Sequence, residues 1–98
     1  MNKDQVLAEL RGCLSEIRAH GVRALYLFGS TARGLSRDDS DVDVFIEPER
    51  ADRFNAFDLI DVKSILEKRL ETHVDLTTRD GLHPRWREQI EREAIRVF

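Results

Sequence analysis

Ninety-eight residues, 41% hydrophobic and 36% charged with a net charge of −3, predict one soluble globular domain spanning 1–98, long enough to bury roughly 60–65% of the surface its unfolded chain exposes. No run of eighteen apolar residues and no signal peptide is present, so the reading expects no membrane span and a cytoplasmic location. The acidic balance disfavours a long nucleic-acid template, and the lone cysteine, Cys13, excludes an internal disulfide or a cysteine metal cluster.

Over residues 3–20 the apolar side chains Val6, Leu7, Leu10, Leu14 and Ile17 recur at helical spacing, with Asn2 as cap and Gly21 as stop. This predicts one amphipathic helix with Cys13 buried in it as an inert thiol. Residues 24–28, ALYLF, form a first strand ending at Gly29, and residues 42–46 a second one ending before Pro48. Residues 30–34 suit a helical turn capped by Ser30. Between residues 54 and 71, Leu59, Val62, Ile65, Leu66 and Leu70 return to the helical period, and residues 73–77, HVDLT, read as a third strand. Pro84 opens a last helix along which Trp86, Ile90, Ala94 and Val97 step by three or four, so Trp86 is expected in the core. His20, His73 and His83 lack ligand spacing and read as surface or helix-end residues. The alternation predicts an α+β fold, a small mixed sheet of three strands or slightly more with helices packed on it.

Asp41 and Asp43 interrupt the run DVDVFI, although aspartate is among the residues least favoured in strands. Residues two apart share a face at about 6.6 Å, and at an effective dielectric near 20 two carboxylates so placed repel by roughly 2.5 kcal/mol. No lysine or arginine stands two residues away on this strand, so the answering cation comes from elsewhere in the fold or from solution. A divalent metal with oxygen ligands is the simplest choice. Gly29 lets a phosphate approach the backbone, and the N–H groups of the turn opening at Ser30 face outward. For that turn to meet the aspartates, the first two strands must run antiparallel, with residues 31–40 closing the connection. A third carboxylate, Asp75, lies between Val74 and Leu76 on the third strand, and three such groups can hold two divalent ions for phosphoryl or nucleotidyl transfer. Singly, each has a plain reading: Asp41 ends a polar loop that already holds Asp38, Asp39 and Ser40, and Asp75 is an exposed strand residue. The conjunction favours the functional one.

FGSTARG followed by SDVDVFIE resembles the signature of the minimal nucleotidyltransferases, relatives of the polymerase-beta superfamily, and the terminal REAIRVF resembles that family's ending. The likeness covers the chain in element order. It implies a two-layer nucleotidyltransferase fold in which Gly29 and Ser30 hold the nucleoside triphosphate, ATP. It further implies that Asp41, Asp43 and Asp75 bind two magnesium ions, with Asp75 helping to activate the attacking hydroxyl. Arg33 either touches phosphate or is a solvated loop arginine. Many small members resemble MntA-like antitoxins paired with a HEPN-type ribonuclease, which they inactivate by adding AMP to a tyrosine hydroxyl; this implies a toxin protein as partner. Two other functions stay open: a binding module that silences the toxin by occlusion, and a nucleotidyltransferase of small molecules such as aminoglycosides, for which the chain has little room to wall an acceptor.

Overall fold

Reciprocal capping decides where the first helix begins. The Gln5 amide N–H donates to the Asn2 side chain and the Asn2 N–H donates to the Gln5 side chain, each at 2.9 Å, which satisfies two of the helix's unpaired donors. The computed structural model, which describes residues 1–35 and 41–98, runs this helix, α1, over Lys3–Gly12. The stretch 36–40, containing Asp38, Asp39, Ser40 and the end of the expected 31–40 connection, lies outside the described residues.

The expected single helix over 3–20 is two helices, α1 and α2 (Leu14–Ala19), joined at Cys13, whose φ of −107° and ψ of 18° leave the helical region. Next to the break a later helix, α4 (Ala56–Leu70), comes close: a Cβ on Gly12 would lie 2.3 Å from the Arg69 guanidinium. That guanidinium also bonds Glu9 at 2.6 Å. The hydrophobic period is kept through the break, so the sequence pattern does not reveal it. Cys13 is buried as expected, and burial pushes its thiol further above the ordinary value.

Four strands, β1 (Val22–Phe28), β2 (Val42–Pro48), β3 (Val74–Thr78) and β4 (Ile95–Arg96), form one mixed sheet in the order β3-β2-β1-β4. β1 runs antiparallel to β2, as the connection required, while β2 and β3 are parallel. Alternation divides the sheet by face. Leu25, Leu27, Val42, Val44, Ile46 and Val74 join the core contributed by α1, α2 and α4. Tyr26, Phe28, Asp43, Phe45, Glu47 and Asp75 stand on the other parity.

That second face carries its own small packed patch. The Tyr26 ring stacks on Phe45 at 4.7 Å and 16°, Phe28 tilts against Phe45 at 5.7 Å, and the Arg79 guanidinium lies 4.8 Å from Tyr26 and 5.2 Å from Phe45. Arg79 also pairs with Glu47 and Glu91, each at 2.6 Å, so one cation ties β2 to the last helix, α5 (Pro84–Glu93). The carboxyl of Glu47 sits below the usual carboxylate range because Arg23, and then Arg79, favour its charged form.

Two expectations about the C-terminus fail together. The helical pattern running to Val97 ends at Glu93, and Ile95 and Arg96 pair with Leu27 and Tyr26 as a fourth strand. The open edge of β1 supplies the reason: its Leu25 carbonyl accepts from the Val97 N–H at 2.8 Å and its Leu25 N–H donates to the Phe98 carbonyl at 3.0 Å. Ile95 and Val97 fit a period of two as well as Ala94 and Val97 fit a period of three, so a short apolar run at a chain end reads both ways. Trp86, expected in the core, is 49% exposed, and Leu82 and Val97 take the buried positions nearby in sequence.

Candidate active site

Sheet register brings the predicted carboxylates together. Asp43 pairs with Phe28 across β1–β2 and with Asp75 across β2–β3, so it occupies the middle strand with Asp75 directly beside it. Adjacent strands lie about 4.8 Å apart, and paired residues share a face. Asp41 stands one residue before β2, where the Val42 N–H holds the chain to the His73 carbonyl at 3.0 Å. Asp41 and Asp75 are exposed and Asp43 is half-buried.

The three carboxylates feel one another. The Asp43 carboxyl is pushed above the ordinary value, first by burial, then by the charges of Asp75 and Asp41, with the Arg33 guanidinium opposing. Among the described residues no three His, Cys, Asp or Glu side chains are gathered into a ready-made ligand cage. The aspartates therefore share a rim without converging on a single point, since mutual repulsion disfavours convergence in the absence of a cation. By donor chemistry the trio fits a hard divalent cation: its atoms are carboxylate oxygens, and the charges of Asp75 and Asp41, which after burial push Asp43 upward, are what a cation offsets.

Gly29 is required twice over. Its φ of +73° is in the left-handed region, and a Cβ there would lie 2.2 Å from the Asp43 Oδ2. The sequence reading assigned Gly29 to backbone approach by phosphate; the structure adds that it makes room for the carboxylate. Gly29→Ala is expected to cost about 1–2 kcal/mol in backbone strain, lowering the melting temperature by about 4–8 °C for each ~1 kcal/mol. A differential scanning melt with no shift would contradict this.

Ser30 is not the cap that its position predicted. The short helix α3 spans Gly29–Ala32, its N-cap is Phe28, and no side chain bonds the cap. Ser30 instead lies inside the turn. Arg33 closes the turn, and its Nη1 is 3.5 Å from the Glu93 carboxylate of α5.

Sequence reasoning missed the support beneath these groups. Tyr26, Phe28 and Phe45 are recoverable from parity with Asp43, since each falls on the same alternate positions of ALYLF and DVDVFI. Arg79, in a turn written TTRDGL, carries no local signal of its own.

The sequence matches the family model of the nucleotidyltransferase domain over residues 7–97. The chain belongs to the nucleotidyltransferase domain family. It is similar to a Methanocaldococcus jannaschii protein provisionally named protein adenylyltransferase, 35% identical over 79 residues that cover 81% of this chain and 83% of that one. It is also similar to a solved structure provisionally described as a minimal nucleotidyltransferase, with a TM-score of 0.83, 38% identity, and coverage of 97% and 95%. The fold recurs, at 18% identity and a TM-score of 0.63, in a structure of tri-AMPylated Shewanella oneidensis HEPN toxin in complex with MNT antitoxin, covering 90% of this chain and 68% of that one. The domain is thus a nucleotidyltransferase of the minimal kind. Among the described residues no helix is long and apolar enough to cross a membrane.

Proposed function

We propose that this nucleotidyltransferase is a magnesium-dependent protein adenylyltransferase that moves AMP from ATP to a tyrosine hydroxyl of a HEPN-type toxin, and so serves as an antitoxin. The observation that carries the reading is the register Phe28–Asp43–Asp75, which sets a carboxylate pair beside the Gly29 turn. The names of its relatives, a protein adenylyltransferase and an MNT antitoxin bound to an AMPylated HEPN toxin, support the acceptor class.

Each residue has a role in this reading. Asp41, Asp43 and Asp75 hold the divalent ions, two in number. When bound, magnesium neutralises and orients the phosphates of ATP. The backbone at Gly29 and Ser30 receives the triphosphate, and Arg33 adds a charge-assisted contact to a phosphate oxygen. Asp75 accepts the proton of the attacking hydroxyl at a carboxylate oxygen. The hydroxyl oxygen then bonds the α-phosphorus, the bond from that phosphorus to the bridging oxygen breaks, and pyrophosphate leaves with the bonding electrons. Because Asp41 and Asp75 are exposed, a hydroxyl on the surface of another protein can reach them.

The test is incubation with labelled ATP, magnesium and the protein encoded by the neighbouring gene. Label is expected on a tyrosine of the partner, and no labelling at any magnesium concentration would overturn the proposal. A second reading, silencing by occlusion, is favoured by Phe57 and Ile60, which are 77% and 61% exposed one turn apart on α4. On that reading, an Asp41→Asn, Asp43→Asn double variant would still neutralise the partner.

A further inference from the structure

Helix α5 has no fully buried side chain. Ile90 is half-buried and Trp86 half exposed, so the apolar packing that usually fixes a helix in place is thin here. Ion pairs take its two sides. Glu93 meets Arg33 at 3.5 Å, and Glu91 meets Arg79 at 2.6 Å. Residues two apart stand about 200° from each other around a helix, so the two pairs grip opposite sides of it.

The two pairs differ in strength. The side chains of Arg33 and Glu93 are 49% and 39% exposed, those of Arg79 and Glu91 only 26% and 30%. A pair open to water contributes little, and a shielded one is weakened less by solvent and salt. Arg79 is also fixed in place: Glu47 takes it at 2.6 Å, and the rings of Tyr26 and Phe45 lie 4.8 and 5.2 Å from its guanidinium. The Arg87 guanidinium bonds Glu91 at 2.7 Å, but that pair lies within one helix and cannot seat α5 on the sheet. Its further contact, to Asp80 at 3.3 Å, ends on an exposed carboxylate. The firm anchor of α5 is therefore Arg79.

We propose that Arg79 is a positioning residue for nucleotide binding: through Glu91 it seats α5, and the seated helix, through Glu93, holds Arg33 where the triphosphate meets the Gly29 turn. The inference rests on the nucleotidyltransferase reading above and adds to it a residue that stands outside the site.

Arg33 is the cation that opposes the upward push on Asp43, so its placement already bears on the carboxylate rim. The charges acting on Asp43 are those of Asp75, Asp41 and Arg33. Arg79 instead pairs with Glu47, four residues along β2 from Asp43, which is about 13 Å at the rise of a strand. Its influence passes through contacts and not through its field. Glu93 engages the Nη1 of Arg33, and a guanidinium carries five N–H donors, so others stay available to a phosphate oxygen. An arginine already held by its helix loses less freedom on binding than one loose in solvent.

The full chain is titrated with ATP in magnesium by calorimetry, and the thermal melt of each variant is recorded beside it. Glu91→Gln cuts the link to α5 while leaving Arg79 with Glu47 and the two rings, so it separates seating of the helix from support of the fold and decides the matter even where Arg79→Gln unfolds. Residues coupled in one network interact by roughly 2- to 150-fold. Glu91→Gln and Arg79→Gln are each expected to weaken ATP binding within that range, the double variant to bind no more weakly than Arg79→Gln alone, and Arg79→Lys to recover part of the loss. In an Arg33→Ala background neither substitution is expected to lower ATP affinity further. A folded Glu91→Gln protein that binds ATP as wild type does would overturn the proposal and leave the nucleotidyltransferase reading standing. So would a loss of equal size with and without Arg33, which would show that Arg79 serves the fold alone. Failure of the wild-type chain to bind ATP at all would overturn both.

Discussion

Asp43→Asn is expected to abolish AMP transfer and, at the same time, to stabilise the free protein. Asp43 is the central carboxylate of the rim, between Asp75 in the parallel ladder and the Gly29 turn. Losing its charge removes a shared ligand of the proposed ions. An effect of about 4 kcal/mol on the transition state, on the order of a thousandfold in rate, is the expected scale. The same substitution removes the most crowded negative charge of the site. The Asp43 carboxyl is pushed up by burial and by its two neighbours, so its charged form is penalised in the folded state. That penalty is absent below the unfolded value near 3.9 and complete above the raised folded value, so it grows as pH rises through that window.

Asp43→Asn should therefore melt at a higher temperature than wild type at pH 7 and show no gain once the pH falls below about 3.9. Each ~1 kcal/mol gained corresponds to about 4–8 °C in a domain of this size. Two measurements settle it: labelled AMP transfer and thermal melts of the ion-free protein across pH. A variant that is inactive and also less stable would show that Asp43 supports the fold, and the functional reading of its position would lose its physical basis. A site that opposes folding is the signature of selection for chemistry over stability.

The largest loss of stability is expected from Phe45→Ala, about 3–5 kcal/mol. Phe45 is wholly buried although it stands on the face opposite the helix-covered core. Its surroundings are the stacked Tyr26, the tilted Phe28 and the Arg79 guanidinium, which pairs in turn with Glu47 and Glu91. Truncation leaves two rings and a half-buried cation without their common partner. Against a typical total of about 5–15 kcal/mol, such a loss empties a large share of the folded population. Urea unfolding reads it directly, and a change below about 1 kcal/mol would mean that this face is not a second packing layer. The location of Phe45, two residues along β2 from Asp43, links this patch to the site. The patch fixes the middle strand from the face on which the carboxylates stand.

How much of this was readable in advance differs by element. The interior strands were legible because an apolar run bounded by glycine or proline has few other ways to bury itself, and α4 because its period persists over four turns. The aspartates were legible for the converse reason: a charged residue inside a strand is costly, and its presence demands an explanation. The break at Cys13, the fourth strand and the exposed Trp86 were not legible. The fourth strand depends on a partner remote in sequence, the free edge of β1 beside Ile95, and the approach of the Arg69 guanidinium to Gly12, next to the break, is likewise long-range.

Local pattern determined the types of the interior elements and which residue types could carry metal and phosphate chemistry, because these follow from periodicity and from the cost of placing a charge; the antiparallel entry of the first two strands followed from requiring the Gly29 turn to meet the aspartates. Tertiary structure alone decided that Asp43 and Asp75 stand side by side, that Gly29 clears space for a carboxylate, and that Arg79 roofs the aromatic patch. The physical reason is register: which residue of one strand meets which residue of another is set by the packing of both faces at once, and no window of neighbouring residues contains that information.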